Sequence, residues 1–104
     1  MDATEVFKAL ADPTRRAVFE KLAGGSCNAT ALREGIAISQ SAMSQHIAVL
    51  RGAGLIIEQR QGRHVNYSID PKGLAPLADW LTRYSAFWPD RIGKLQELLK
   101  EMDQ

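Results

Sequence analysis

The sequence predicts an α+β fold in a single domain, mainly helical with one small β-hairpin. Through most of the 104 residues, apolar side chains recur every three or four positions, which indicates amphipathic helices. The spacing changes to two only over residues 55–69, around a turn that contains glycine, which indicates a hairpin. Aspartate–proline pairs and glycines separate the segments, so we expect four helices, the hairpin and a fifth helix.

The first two helices meet at Asp12-Pro13, and they are expected over about residues 3–11 and 13–23. Asp12 is a typical N-cap, and Pro13 fits the first helical position because an N–H there would have no partner. Gly24-Gly25 should end the second helix. The apolar residues at helical spacing are Val6, Phe7 and Leu10 in the first helix and Ala17, Val18 and Leu22, expected to be buried, in the second.

Two arginines lie near the start of the second helix, where the helix macrodipole favours acidic side chains. A contact between a phosphate and Arg15 or Arg16 would explain this placement. A solvated pair of arginines explains it equally well, and both interpretations stay open.

A short third helix is expected over about residues 28–34, with Asn28 as its cap. An apolar turn over residues 35–38 leads into a fourth helix over about 39–53, with Ser39 as its N-cap. Two helices joined by a tight apolar turn, the second with a neutral polar face, form a helix-turn-helix.

The fourth helix has an apolar face and, opposite it, a polar face without charge. Between Ser39 and Leu50 there is no Asp, Glu, Lys or Arg, although a solvated helix face usually carries charged residues. Gln and Ser can bond to base edges in the major groove, whereas a carboxylate would be repelled by phosphate. The residues in the first turns, the part of a recognition helix that approaches bases, are Gln40, Ser41 and Ser44. The alternative is a polar face that contacts only water.

The predicted hairpin joins strands at about 55–60 and 64–69. Arg60 and Arg63 lie at its tip beside Gly62, where they can reach phosphates or the minor groove. A basic turn that only increases solubility is the alternative. A helix-turn-helix followed by such a hairpin is a winged helix.

A long last helix is expected over about residues 74–103, with Pro76 in its first turn. Its apolar residues recur every three or four positions: Leu74, Leu77, Leu81, Tyr84, Trp88, Ile92, Leu95, Leu99 and Met102. Because this stripe is wider than one docked helix needs, we expect part of it to face a second chain, the alternative being that it covers the monomer's own core. Pro89 is expected to kink the helix rather than split it. Whether the aromatic residues line a ligand pocket stays open.

The composition places the excess of basic residues in the middle of the chain. The formal net charge is only +1, but residues 33–67 contain four arginines against two glutamates. Cys27 is the single cysteine, which excludes an internal disulfide and a multi-thiolate metal site. There is no leader of basic and then apolar residues and no run of about 18 apolar residues, so we expect a cytoplasmic protein without a membrane partner.

Three motifs together resemble the ArsR/SmtB family of bacterial winged-helix repressors: residues 9–16 (Ala-Leu-Ala-Asp-Pro-Thr-Arg-Arg), 39–55 and 62–71. They occur in the same order as in that family, and the match covers about residues 5–71. The resemblance implies a homodimer, formed by the first and last helices, that represses transcription by binding double-stranded DNA at an inverted repeat. It also implies that helix 39–52 reads the major groove and that the hairpin at 60–64 is the wing.

Carried over residue by residue, the resemblance assigns DNA contacts to the helix-turn-helix and to the hairpin. Contacts to bases and nearby phosphates are expected from Gln40, Ser41, Ser44, Gln45 and His46. Wing contacts are expected from Arg60, Arg63 and His64, with Arg51 as a further phosphate contact. The dimer interface is expected to contain Val6, Phe7, Leu10, Leu81, Tyr84, Trp88, Ile92, Leu95 and Leu99.

The sequence departs from the metal-sensing members of that family. A thiolate site needs at least two cysteines, and a site on the last helix needs histidines, which residues 71–104 lack. We therefore expect no metal and no cofactor, as in the metal-independent, SdpR-like branch. The effector that releases the DNA is unidentified, and a small molecule and an oxidant are the two candidates.

Three other classes of function, namely an enzyme, a protein-interaction module and a redox-responsive repressor, would each require different residues. An enzyme is not expected, since His46 and His64 lie on different elements and no phosphate-binding loop or paired-carboxylate motif occurs. A dimeric winged-helix protein-interaction module without specific DNA binding would require neither the neutral helix face nor the wing arginines. A redox-responsive repressor based on Cys27 would need an exposed thiol with a low pKa.

Overall fold

The computed structural model describes residues 3–87 together with residues 97 and 100. Within these residues, no helix is long and apolar enough to cross a lipid bilayer. Several predictions for the last helix fall outside the described residues, namely the kink at Pro89 and the interface residues Trp88, Ile92, Leu95 and Leu99.

The described part of the chain contains five α-helices and a three-stranded antiparallel sheet. The helices are α1 Thr4–Ala11, α2 Pro13–Ala23, α3 Ala29–Arg33, α4 Gln40–Gly52 and α5 Ala75–Thr82. The strands are β1 Cys27–Asn28, β2 Ile56–Gln61 and β3 His64–Ile69, and a 3-10 turn covers Ser85–Phe87. The predicted α+β fold, with four helices, a hairpin and a fifth helix, is confirmed.

Side-chain caps begin three of the helices where the sequence predicts them. The Asp12 carboxylate accepts the backbone N–H of Thr14 at 2.8 Å at the start of α2. The side chain of Asn28 caps α3, and Ser39 Oγ accepts the N–H of Ala42 at 3.1 Å at the start of α4. These caps satisfy backbone donors that have no partner within the helix, and they set where α3 and α4 begin.

The core lies between the first four helices and the sheet. Its buried residues are Val6, Ala9, Val18, Leu22, Leu32, Met43, Ile47, Leu50, Ala53, Leu55 and Ile56. Val6 is fully buried in this core, which leaves its side chain no surface for the predicted contact with a second chain. Ala17 is exposed, contrary to expectation. Val18 and Leu22, one turn apart, form the buried face of α2, and Ala17 lies outside that face.

The predicted hairpin is formed by β2 and β3, which are antiparallel and pair Gln61 with His64 at the tip. Its turn consists of two residues, Gly62 and Arg63. Only Gly62 has a positive φ, 61°, and this corresponds to a type II′ turn, whose twist matches that of the flanking strands.

The third strand, β1, was not predicted from the sequence. It pairs with the other side of β3, with Cys27 opposite Tyr67 and Asn28 opposite Asn66, so the strand order is β1-β3-β2. Two residues are too few to show an alternating pattern, and β1 forms only because the fold brings it to the edge of the hairpin.

Helix α5 ends earlier than the single long helix predicted over about residues 74–103. α5 begins close to the expected position, with Pro76 in its first turn, but it ends at Thr82 instead of continuing toward residue 103. The next backbone bonds join residues three apart, as in a 3-10 helix. The described backbone therefore leaves the regular α-helical pattern between Thr82 and Phe87.

A close backbone contact holds the start of α5 against the end of α4. Gly73 is buried, and a Cβ at this position would lie 2.4 Å from the carbonyl oxygen of Gly54 and 2.9 Å from the Cα of Leu55. Nearby, the N–H of Asp70 donates to the carbonyl of Leu55 at 3.0 Å. Only glycine fits at position 73 without a shift of the backbone.

Candidate nucleic-acid interface

Helix α4 presents its neutral polar face to solvent. The exposed residues Gln40, Ser41, Ser44, Gln45 and Ala48 together line a shallow, open depression. On the opposite side of the helix, Met43, Ile47 and Leu50 are buried in the core. The structure therefore brings together all the predicted base-contacting residues of this helix except His46.

His46 lies on the flank of α4, where its side chain is half-buried and close to Asp12. The backbone N–H of Arg15 lowers the pKa of the Asp12 carboxyl below its ordinary value. The N–H of Thr14 and the charges of Arg15 and His46 lower this pKa further, against the effect of burial. His46 therefore faces the junction of α1 and α2, and this position does not support the predicted base contact.

Arg15 and Arg16 are engaged within the protein. Arg15 Nε donates to the carbonyl of Ala9 at 2.7 Å, and its Nη2 donates to the carbonyl of Lys8 at 3.0 Å. Arg16 Nη1 donates to the carbonyl of Leu10 at 2.7 Å. Both side chains thus cap the C-terminal carbonyls of α1. These contacts explain why the two arginines lie at the start of α2, and neither a bound phosphate nor simple solvation is needed.

Lys21 caps the end of α3 in the same way, although it was not predicted to be a functional residue. Its Nζ donates to the carbonyl of Ala31 at 2.6 Å and to the carbonyl of Glu34 at 2.5 Å. No local pattern could have revealed this contact, because it joins residues 10 and 13 positions apart. Lys21 thereby ties α2 to the end of the helix that precedes the turn into α4.

The tip of the hairpin carries the predicted wing residues. Arg60, Arg63 and His64 are all exposed. Within residues 3–87, no ion pair joins Arg63 to another side chain. Its guanidinium group, held beside the type II′ turn, is therefore available to an anion from solution.

Glu58 on β2 neutralises part of the positive charge beside this tip. Its Oε2 forms an ion pair with Nη1 of Arg51 in the last turn of α4. Its Oε1 lies 3.5 Å from Nε of Arg60. One carboxylate therefore contacts two of the arginines predicted to bind phosphates, Arg51 on α4 and Arg60 on β2.

Cys27 does not have the properties of a reactive thiol. It is half-buried in β1, and burial raises the pKa of the thiol above its ordinary value. A redox-sensing cysteine needs an exposed side chain with a low pKa, so the structure does not support the oxidant-responsive alternative. Among the described residues, no group of three or more His, Cys, Asp and Glu side chains is placed to hold a metal ion.

An exposed apolar surface lies on the side formed by α1 and α5. Phe7 packs edge-on against Trp80, with ring centroids 5.1 Å apart, and Trp80 contacts Tyr84 at 4.9 Å. Leu81 beside them is 41% exposed, which is high for a large apolar side chain. Leu10, also predicted for the interface, is partly buried against the core. We call Phe7, Trp80, Leu81 and Tyr84 the aromatic surface.

The comparisons with known proteins agree with this architecture. A family model described as a helix-turn-helix domain matches residues 10–60, which include the last residues of α1, the helix-turn-helix and most of β2. A solved ArsR family transcriptional regulator has a TM-score of 0.73 and 30% sequence identity, covering 82% of this chain and 88% of that one.

Two curated relatives match along most of their own length. The HTH-type transcriptional regulator Rv2034 of Mycobacterium tuberculosis is 41% identical over 93 residues, or 89% of this chain and 84% of the relative. The transcriptional repressor SdpR of Bacillus subtilis is 34% identical over 79 residues, or 76% and 88%. These relatives are regulators rather than enzymes, as the residue inventory predicts. The chain belongs to the ArsR family of winged-helix, DNA-binding transcriptional regulators.

Proposed function

We propose that this transcriptional repressor acts as a homodimer on an inverted-repeat operator, with α4 in the major groove and the β2–β3 turn as the wing. The observation that carries the proposal is the exposed face of α4, which consists of amides, hydroxyls and one alanine. Such a face offers hydrogen bonds to bases and has no carboxylate to be repelled by phosphate. Because its target is bacterial DNA, we place its action in the cytoplasm.

The exposed face of α4 and the wing suit different parts of DNA recognition. Gln45 carries an amide, which can bond to adenine through both its donor and its acceptor, while the Ser44 hydroxyl suits several base edges. Arg63 at the wing tip suits the phosphate backbone, which positions the protein without reading sequence. We therefore assign sequence preference to α4 and the strength of general DNA binding to the wing.

The aromatic surface supports the homodimer. Exposed apolar patches of this kind on small domains mark protein interaction sites, and Phe7 and Leu81 on it belong to the first and last helices of the described chain. A two-fold dimer places its two recognition helices in successive major grooves. The half-sites are then expected about 10 base pairs apart, or a multiple of that distance.

The DNA-binding proposal is tested by selecting bound duplexes from a random pool with the purified protein. Gln45→Ala and Ser44→Ala should each relax the selected motif, by roughly 1–3 kcal/mol per lost base contact. Ser26→Ala, an exposed serine outside α4, is the matched control and should leave the motif unchanged. Arg63→Ala should weaken binding to all sequences alike and flatten the salt dependence.

The dimer is tested by measuring the mass of the protein in solution. Leu81→Arg should give a monomer, because it places a charge within the aromatic surface. Ile57→Arg changes an apolar side chain of similar exposure on β2 and should leave the dimer intact. A dimer that selects no DNA motif would refute the operator proposal and favour a protein-interaction module. A wild-type monomer would refute the dimer.

A further inference from the structure

Glu58 joins the recognition helix to the wing strand through one shared carboxylate. Arg51 of α4 pairs with Oε2, and Arg60 of β2 lies 3.5 Å from Oε1. Each oxygen therefore faces a different guanidinium group. We call Glu58, Arg51 and Arg60 the carboxylate cluster, and its formal charge is +1 because one negative charge stands against two positive ones.

The three side chains differ in how much of each is open to solvent. The Arg51 and Arg60 side chains are 50% and 80% exposed, whereas that of Glu58 is 19% exposed. A DNA phosphate can therefore reach either arginine while the carboxylate stays largely covered behind them. Ion pairs with such exposed partners are weak, so a phosphate at close range can replace the carboxylate as the partner of an arginine.

The two arginines are anchored on elements that would approach DNA together. Arg51 is in the last turn of α4, and Arg60 is one residue before the end of β2. Base contacts by α4 would bring the helix and the wing strand close to the backbone at a correct site. On other DNA sequences those base contacts are missing. The phosphates are then not held close to the protein and have to compete with the Glu58 carboxylate for the two arginines.

We propose that Glu58 is a specificity-determining residue, which weakens binding to non-operator DNA by keeping Arg51 and Arg60 paired until base contacts bring phosphates close. This inference rests on the proposed DNA-binding function. The carboxylate cancels one positive charge in non-specific complexes. On the operator, Arg51 and Arg60 leave the Glu58 carboxylate and pair with DNA phosphates instead.

The test measures affinity for the selected operator and for a random duplex over a range of salt concentrations. Glu58→Gln keeps the shape of the side chain and removes its charge. On random DNA it should steepen the slope of log K against log salt by about 0.9 and raise affinity about eightfold near 0.1 M salt, as expected for one more phosphate contact. Operator affinity should change little, so that discrimination falls by about the same eightfold.

Glu20→Gln is the matched control, since it makes the same change in net charge at an exposed glutamate of α2. It should shift the affinities for operator and random DNA together. Arg60→Ala added to Glu58→Gln restores the cluster charge and should return random-DNA affinity to near the wild-type value. Unfolding midpoints of all variants show that the proteins compared are folded.

Two results would overturn the proposal. In one, Glu58→Gln raises affinity for operator and random DNA by the same factor, as the control does. In the other, Glu58→Gln leaves random-DNA affinity unchanged, which would mean that the freed arginines do not reach phosphates. A wild-type protein that fails to discriminate operator from random DNA refutes the proposed function instead, and this is established before any variant is compared.

Discussion

Removal of the Lys21 ammonium group tests how the helix-turn-helix is held together. Lys21→Met keeps the aliphatic part of the side chain and deletes the two bonds to the carbonyls of Ala31 and Glu34, at 2.6 and 2.5 Å. A protein hydrogen bond contributes a net 0.5–1.5 kcal/mol or so, and solvent exposure places both bonds at the low end of that range. We therefore expect the free energy of unfolding to fall by about 1 kcal/mol.

The assay is urea unfolding followed by circular dichroism at one fixed protein concentration, because the proposed dimer would make stability depend on concentration. The midpoint should move to lower urea with no change in slope. In a thermal scan, a loss of 1 kcal/mol corresponds to a fall in Tm of roughly 4–8 °C for a domain of this size.

Lys72→Met is the matched control for this prediction. Lys72 is exposed in the loop before α5, and no hydrogen bond from its ammonium group to the described residues is present. Its replacement should change the free energy of unfolding by less than about 0.5 kcal/mol. Equal effects of Lys21→Met and Lys72→Met would refute the assigned role of Lys21 at the end of α3.

Two further changes test the helix cap and the tight backbone contact. The pKa of Asp12 is lowered in the folded state, so its charge stabilises the fold above pH 3.8, and this stabilisation is lost as the pH falls through the lower folded-state pKa. Asp12→Asn should therefore unfold at lower urea than the wild type near neutral pH, and a difference that does not narrow below pH 3.8 would contradict this. Gly73→Ala should cost about 1–3 kcal/mol in urea unfolding, because its Cβ meets backbone atoms. Gly52→Ala, which meets nothing within 4 Å, should be neutral or stabilising, and equal losses would count against the contact.

The elements that the sequence predicts correctly are those with strong local signals at their ends. Asp12 and Ser39 act as caps through bonds to their own helices, and the spacing of apolar residues in α4 reflects a core on one side only. β1 has no such signal, because its two residues pair with a strand nearly 40 positions later. The end of α5 at Thr82 was missed because the apolar residues keep their helical spacing beyond it, at Tyr84 and Trp88.

The candidate site was predicted less completely than the fold, because the contacts of its basic residues could not be predicted from the sequence. The exposed face of α4 depends on helical geometry alone, so Gln45 and Ser44 could be placed from the sequence. The partners of Arg15, Lys21 and Arg51 depend on tertiary contacts, and no periodicity predicts them. Arg15 proved to cap α1, Lys21 to cap α3 and Arg51 to contact Glu58.

The two-residue strand β1 has a mechanical consequence. Asn28 pairs with Asn66 of the hairpin, and its side chain also begins α3. A force applied to the wing is therefore transmitted through the β1–β3 backbone bonds to the first helix of the helix-turn-helix. The wing cannot swing independently of that helix unless these bonds break. We therefore expect a signal that moves the wing either to break the β1–β3 backbone bonds or to move the hairpin and α3 together.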